Sequence, residues 1–527
     1  MPDPFGDSAI GRASREAWRV HAGGEVPTGL GDGTLARAFQ RTSVQRHDAT
    51  ALTIEGESAT HGSLDDRSAR VAGWLRARGV EPGDPVLLCA PNSIALVVAY
   101  LATLRSGAVA VPVGAALTRP EIEQIASRAR PSVAFAEGPA LDATRAIAAG
   151  AWQIVALSPG ENPSLAEAEA SGEPIEPVDV PGSTTAILAF TSGTTGRPKG
   201  VPLSHANLLS SIRAAMLAWR WGAEDVLVHA LPLSHQHGLG GVHATLLAGS
   251  RAAIHARFDP ARLALDVGAE RASVLFAVPA MYRRLVDEPE GSASFASLRL
   301  AISGSAPLST AVFERAAELL GREPLERYGT TETGLDTSNP YDGTRKPGSV
   351  GVPLPGVEMA IAGSQGEPLE PGRDGEILFR GPQVFDGYTD EEDPATAFYP
   401  SGWFRTGDVG RVDPVDGFLS ITGRAKEVII TGGMNVYPRE VELVLETHPG
   451  VDAAAVIGLP SERWGEEVVA FVVASSDGAP SDDDLNAFAH ARLAAYKCPK
   501  RVLPIEELPT NAMGKLDRQR LRELAGA

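Results

Sequence analysis

The sequence predicts an α/β protein of several subdomains, with a large N-terminal domain and a small C-terminal one. Three observations support this. The chain has 527 residues, well beyond the roughly 250–300 at which a single hydrophobic core stops growing. From about residue 35 to 347, short apolar runs alternate with helical spacings, the pattern of a largely parallel sheet with helices over it. From 348 to about 423 the texture changes to brief apolar runs between glycine- and proline-bearing turns, which reads as a small β-rich subdomain.

The elements follow in order. Residues 85–90 read as a buried strand, 93–105 as a helix and 108–113 as a return to strand. The Ala-, Gly-, Glu- and Pro-rich stretch 166–181 reads as a surface connection. It separates a first α/β subdomain (about 35–180) from a second (181–347). In the second, strands are expected at 186–190, 226–231, 273–278 and 298–303, with helices near 206–219 and 309–320. Runs at 376–380 and 418–421 belong to the β-rich piece. The last hundred residues alternate again (helices at 440–447 and 481–493, strands at 453–459 and 468–474) and read as a compact α+β module.

A formal charge of −19 argues against a nucleic-acid or anionic-membrane partner, either of which wants a basic face. Cys89 and Cys498 stand far apart and build no disulfide framework, so a reducing cytoplasm is expected. Residues 1–18 carry no basic-then-apolar signal pattern. The most apolar stretch, 95–113, is broken by Arg105 and Gly107, short of the roughly 20 apolar residues a membrane span needs. Lys and Arg total 47, yet only six are lysine: Lys199, Lys346, Lys426, Lys497, Lys500 and Lys515. Against that bias a surviving lysine points to a task that a guanidinium does poorly.

The most informative segment is Thr191-Ser-Gly-Thr-Thr-Gly-Arg-Pro-Lys-Gly200, which follows a predicted strand and precedes a predicted helix. Glycines let backbone approach phosphate oxygens, hydroxyls donate to them, and Lys199 adds charge. The spacing differs from the G-x-x-x-x-G-K-[ST] phosphate loop, because Pro198 stands at the second glycine and Gly200 follows the lysine. Five further motifs follow in order: Gly304-Ser-Ala-Pro307, Tyr328-Gly-Thr-Thr-Glu332, Trp403-Phe-Arg-Thr-Gly-Asp408, Gly423-Arg-Ala-Lys-Glu427 and Asn511-Ala-Met-Gly-Lys515.

On these six motifs the chain resembles the adenylate-forming superfamily of acyl-CoA synthetases, luciferases and adenylation domains, from about residue 35 to the end. The resemblance implies an N-terminal domain over 1–423 whose β subdomain (348–423) is barrel-like. It also implies a hinge at 424–426 and a mobile C-terminal domain over 427–527. The implied reaction joins a carboxylic acid to ATP as an acyl-adenylate, releasing pyrophosphate, and then passes the acyl group to coenzyme A. Negative charge builds on phosphoryl oxygens in the first step, so aimed donors and cations are the main catalytic resource. Lys515 would bridge carboxylate and α-phosphate, and Thr331 would touch that phosphate. His235, in Pro232-Leu-Ser-His-Gln-His-Gly238, would gate the carboxylate pocket. Glu332 would hold Mg2+. Thr191, Ser192, Gly193, Thr194, Thr195 and Lys199 would cradle phosphates. Gly304, Ser305, Ala306, Pro307, Glu326, Arg327, Tyr328, Gly329 and Thr330 would line the adenine side, and Asp408 and Arg424 the ribose. Lys426 is the implied hinge residue. Gly432, Gly433, Met434 and Lys497 would meet coenzyme A. A stand-alone enzyme loading a carrier protein, or one performing a single half-reaction, shares these motifs. His235, His237 and His243 lack the Cys or acidic company of a metal site.

Among subfamilies the chain is most similar to malonyl-CoA synthetases. That resemblance implies that Arg284, in Pro279-Ala-Met-Tyr-Arg-Arg284, holds a distal carboxylate bidentately. The pocket would also involve Gly334, Leu335 and Asp336. Ser234, Gly240, Gly241 and Thr330 stand where bulkier residues are usual, which predicts a pocket wider than malonate needs. Asp336, if it faced inward, would repel a second carboxylate. A malonate-like acid and a bulkier biosynthetic acid therefore both remain open.

Overall fold

Short continuous apolar runs become strands buried on both faces, and the sheets they build do not follow chain order. A computed structural model describes residues 3–22, 28–161, 163–192, 198–288, 294–389, 397–432, 434–461, 463–475, 480–510 and 516–526. A six-stranded sheet runs Gln153–Ala156, Val133–Ala136, Pro85–Cys89, Val109–Val113, Thr185–Ser192, Pro198–Ser204. A nine-stranded sheet has a parallel centre, Leu325–Tyr328, Leu300–Ser303, Val274–Ala277, Val226–His229, Arg251–Ile254 and Thr50–Ile54. The early strands Thr50–Ile54 and Glu57–Thr60 thus complete the later sheet, while Thr185–Ser192 and Pro198–Ser204 extend the earlier one. The two α/β layers are interleaved rather than strung in series.

Helix Ile94–Arg105 explains the long apolar stretch: it is buried along nearly all its length, as a helix apolar on every side must be. Arg105 survives there by pairing with Asp65 at 2.6 Å. No helix among the described residues is long and apolar enough to cross a membrane.

The β-rich piece is an open five-stranded antiparallel sheet and not a closed barrel. Its longest strand, Trp403–Val412, pairs with Gly375–Arg380 on one side and with Phe398–Tyr399 and Leu419–Arg424 along the other. Closure is unnecessary because the outer edge, Glu358–Ala362, is covered. Helix Ala9–Ala17 packs on it, and Met359 N donates to Ser14 Oγ at 3.1 Å. Phe5 is buried against Trp403 and Tyr399, and Asp3 pairs with Arg380. The N-terminal segment, silent in the motif reading, is thus part of this subdomain.

The C-terminal module pairs Val451–Ser461 with Gly465–Ala474 over most of their length. A buried ion network holds it: Arg439 meets Glu442 and Glu446, and Arg518 meets Glu427 and Glu442.

Candidate active site

The described flanks of the phosphate-loop segment are antiparallel strands, Thr185–Ser192 and Pro198–Ser204. Thr191 pairs with Lys199 and Phe190 with Gly200 across antiparallel strands. Helix His205–Ala218 begins only after the return strand, capped by Ser204 and Asn207. The residues before that helix are therefore a strand, Pro198–Ser204. Gly193, Thr194 and Thr195 lie outside the described residues, as do Gly433 and Lys515.

Lys199 Nζ stands over the Tyr388 ring, 4.5 Å from its centroid, and the Tyr388 hydroxyl donates to Glu332 Oε1 at 2.8 Å. Two motifs 130 residues apart thereby meet through an aromatic that motif reading missed; nothing local in its sequence marks it. Glu332 is nearly buried. No group of three His, Cys, Asp or Glu side chains suited to a metal occurs among the described residues. A single carboxylate beside a phosphate site fits Mg2+, which takes one or two carboxylates and completes its shell with phosphate oxygens and water.

Strand Leu325–Tyr328 carries the next motif. The Tyr328 hydroxyl donates to Asp408 Oδ2 at 2.6 Å, and Arg424 Nε lies 3.0 Å from Oδ1. Both carboxylate oxygens are thus anchored, with lone pairs left for a diol. Gly329 is obligatory, since a Cβ there would stand 1.9 Å from Gly334 O. Gly334 N donates back to Thr330 O at 2.9 Å, closing the turn. The Thr331 carbonyl accepts from Gln236 Nε2 at 2.8 Å, so helix Gln236–Ala248, with His235 at its N-cap, is tied to the same loop. Ser305 has φ +73, uncommon for a residue with a side chain and concentrated at functional sites. Its hydroxyl lies 3.2 Å from His237 Nδ1. Gly304, Ala306 and Pro307 share this loop after strand Leu300–Ser303.

Several residues stand elsewhere than their motifs implied. Glu326 is buried and accepts from Gly348 N at 2.9 Å; burial lifts its carboxyl to about 7. It braces the β subdomain. Asp336 is fully buried, bonded by Thr333 and Gln383, and burial lifts it too to about 7. It sits behind the loop, where Thr333 and Gln383 take up both of its oxygens. Arg284 is half-exposed, 3.4 Å from Glu288 and beside Phe258, on the side of the nine-stranded sheet away from helix Gln236–Ala248. Helix Pro279–Asp287 buries Tyr282 and Leu285 instead, and its 3.6-residue period turns Arg284 outward. Gly240 and Gly241 open no space: a Cβ on Gly241 would lie 2.7 Å from Leu227 Cδ2, and one on Gly240 3.3 Å from Ile212 Cδ1. Ser234 borders a small apolar cavity with Leu88, Tyr100 and Leu239, of about 10 Å³, room for one water. Thr330 Oγ1 lies 3.1 Å from Thr333 Oγ1, and Leu335 N donates to Ser211 Oγ at 2.9 Å. His243 is buried against Tyr100, with Nε2 2.7 Å from its hydroxyl.

In the C-terminal module Lys426 occupies the short turn Ala425–Glu427. Gly432 has φ +57 and donates to Trp464 O at 2.7 Å, while Met434 is half-exposed nearby. Lys497 Nζ is held by both Glu440 oxygens at 2.6 and 2.7 Å.

Comparison with known proteins gives the family. The family model for the AMP-binding enzyme matches residues 39–389, and that for the AMP-binding enzyme C-terminal domain matches 440–515. The chain belongs to the AMP-binding enzyme family. It is 36% identical over 505 residues to an oxalate–CoA ligase of Arabidopsis thaliana, covering 92% of this chain and 97% of that one. It is also 36% identical over 484 residues to a feruloyl-CoA synthase of an Amycolatopsis species, covering 91% and 96%. The crystal structure of ATP-bound MatB from Rhodopseudomonas palustris superposes with a TM-score of 0.86 at 38% identity, covering 93% and 98%. This AMP-binding enzyme is an acid–thiol ligase: with ATP and magnesium it makes an acyl-adenylate, then transfers the acyl group to coenzyme A.

Proposed function

We propose that the acid this ligase activates is compact, of malonate's size, rather than bulky. The filled space at Gly241 and Gly240 carries this reading. The two glycines bring helix Gln236–Ala248 onto the sheet and onto helix His205–Ala218, so volume missing from the sequence is taken up by closer packing. Overall likeness does not decide the acid, because the dicarboxylate and aromatic ligases are equally similar to this chain.

In this reading Lys199 and the loop around it hold the distal phosphates. Tyr328, Asp408 and Arg424 hold the nucleoside, with Asp408 accepting from ribose hydroxyls. Thr331 and Glu332 stand at the α-phosphate and its Mg2+. Lys515 supplies the charge that bridges carboxylate and phosphate, and the chain turns at Lys426 between the two steps. The face around Gly432 and Met434 receives the pantetheine arm, while the bond to Glu440 makes Lys497 a brace for that face. The two buried free thiols, Cys89 and Cys498, suit work in the reducing cytoplasm. The test is pyrophosphate release and CoA-thioester formation with Mg-ATP, CoA and acids from malonate and methylmalonate to polycyclic monocarboxylates. Turnover of the small acids is expected; turnover of the bulky acids alone would sink the compact reading.

A further inference from the structure

Glu332 is gripped twice by one stretch of chain, residues 382–389. Phe385 N donates to the Glu332 carbonyl at 2.9 Å, and the Tyr388 hydroxyl donates to its carboxylate at 2.8 Å. The same stretch is tied to other walls of the site. Asn207, in the first turn of helix His205–Ala218, donates through Nδ2 to the carbonyls of Pro382 and Val384 at 2.9 and 2.8 Å. Thr389 N donates to Gly200 O at 3.0 Å. Glycine is required at that point, because a Cβ on Gly200 would collide with the Thr389 hydroxyl. Gly200 directly follows Lys199, so one segment holds backbone both at Glu332 and next to Lys199.

Tyr388 joins the two side chains across this frame. Its ring stands nearly perpendicular to that of buried Phe385, with centroids 4.9 Å apart, and Lys199 Nζ lies over it at 4.5 Å. An aromatic face attracts an ammonium, and a hydroxyl bonds strongly to a carboxylate. The two ends of one side chain therefore act on different groups: the ring on the cation, the hydroxyl on the acid. Glu332 is nearly buried, where a carboxylate without a partner is costly. Bonded through one oxygen, it still offers the other to a cation, so the Tyr388 bond sets the direction in which that oxygen points.

We propose that Tyr388 is a positioning residue for the metal-bound nucleotide: its hydroxyl aims Glu332 at Mg2+, and its ring holds Lys199 toward the distal phosphates. This rests on the reading of Glu332 as the ligand of Mg2+ and of Lys199 as a phosphate contact. It adds to that reading a residue acting through both, with separate atoms for each.

The test is calorimetric titration of the full-length enzyme with ATP, once with Mg2+ and once with excess chelator, which reads binding without turnover. Tyr388→Phe keeps the ring on Phe385 and Lys199 and removes only the hydroxyl. Its metal-free ATP affinity should stay within about twofold of wild type, while the tightening that Mg2+ gives should fall about tenfold, or vanish if wild type gains less than that. Tyr388→Leu removes the ring as well and should weaken metal-free ATP binding by a further factor of about three. Glu332→Gln serves as the reference and should lose the Mg2+ response. A Tyr388→Phe enzyme with the wild-type Mg2+ response, beside a Glu332→Gln enzyme that has lost it, overturns the proposal and leaves the reading of Glu332 standing. A Tyr388→Phe loss that is equal with and without the metal also overturns it, because that marks packing alone. If Glu332→Gln keeps the whole Mg2+ response, the reading of Glu332 fails and the proposal with it.

Discussion

Asp336 shows how burial sets a single residue's behaviour. Its carboxyl is fully buried and lifted to about 7, against roughly 4 in an unfolded chain. The folded state therefore holds the proton longer, so this group's contribution falls as pH rises from about 4 to about 7 and is level above that. Asp336→Asn keeps an acceptor for Gln383 and can donate to Thr333. It should be more stable than wild type at pH 8, by roughly 2–4 kcal/mol, and the gap should close below pH 4. Thermal melts across pH 4–9 check this; a pH-independent gap would show that the carboxyl titrates alike in the folded and unfolded chain. The motif order places Asp336 beside the acyl group, yet no sequence pattern tells which way a side chain at a turn will face. Arg284 and Arg327 differ in the same respect: both are basic residues in motifs, and only strand and helix phase decides which one is enclosed.

Helix Gln236–Ala248 illustrates the element scale. Its sequence suggests missing volume at Gly240 and Gly241, whereas the structure spends that volume on a closer approach of helix to strand Val226–His229. Gly241→Ala should therefore act as overpacking, lowering stability by roughly 1–3 kcal/mol and slowing adenylation through the displaced Gln236–Thr331 bond. Denaturant unfolding with a parallel activity assay checks it; a variant of unchanged stability that merely prefers smaller acids would make Gly241 a pocket wall. Element existence was legible where short apolar runs or helical spacing stood out, as in strands Pro85–Cys89 and Gly465–Ala474 and helix Ile94–Arg105. Strand Pro198–Ser204 after the phosphate loop was not, because it lacks an apolar run and becomes a strand only by pairing with Thr185–Ser192.

At the scale of the whole molecule, the two domains touch through Arg283 and Asp452 at 3.0 Å. The pair is about one-third exposed, so it is worth about 1 kcal/mol or less; in the proposed reading, where the chain turns at Lys426 between the two steps, that shifts the balance of domain orientations by up to about fivefold. Asp452→Asn should slow the half-reaction that uses this orientation and leave the other equal or faster. Pyrophosphate release and thioester formation from supplied acyl-adenylate, assayed separately, read the two steps; equal slowing of both would make the pair purely structural. Arg518, joining Glu427 beside Lys426 to Glu442, belongs to the same scale and had no motif to announce it.

The sequence by itself determined the family, the reaction and the order of the chemical groups, because phosphate, ribose and carboxylate chemistry demand particular residue types at fixed local spacings. Tertiary structure alone decided which of those residues are enclosed, which brace the fold, and how much room the acid has. Burial, strand phase and interhelical approach are set by partners more than a hundred residues away. Arg327 is the clearest case: it is one basic residue among many along the chain, and is enclosed, with its Nε unpartnered, only once the strands are aligned.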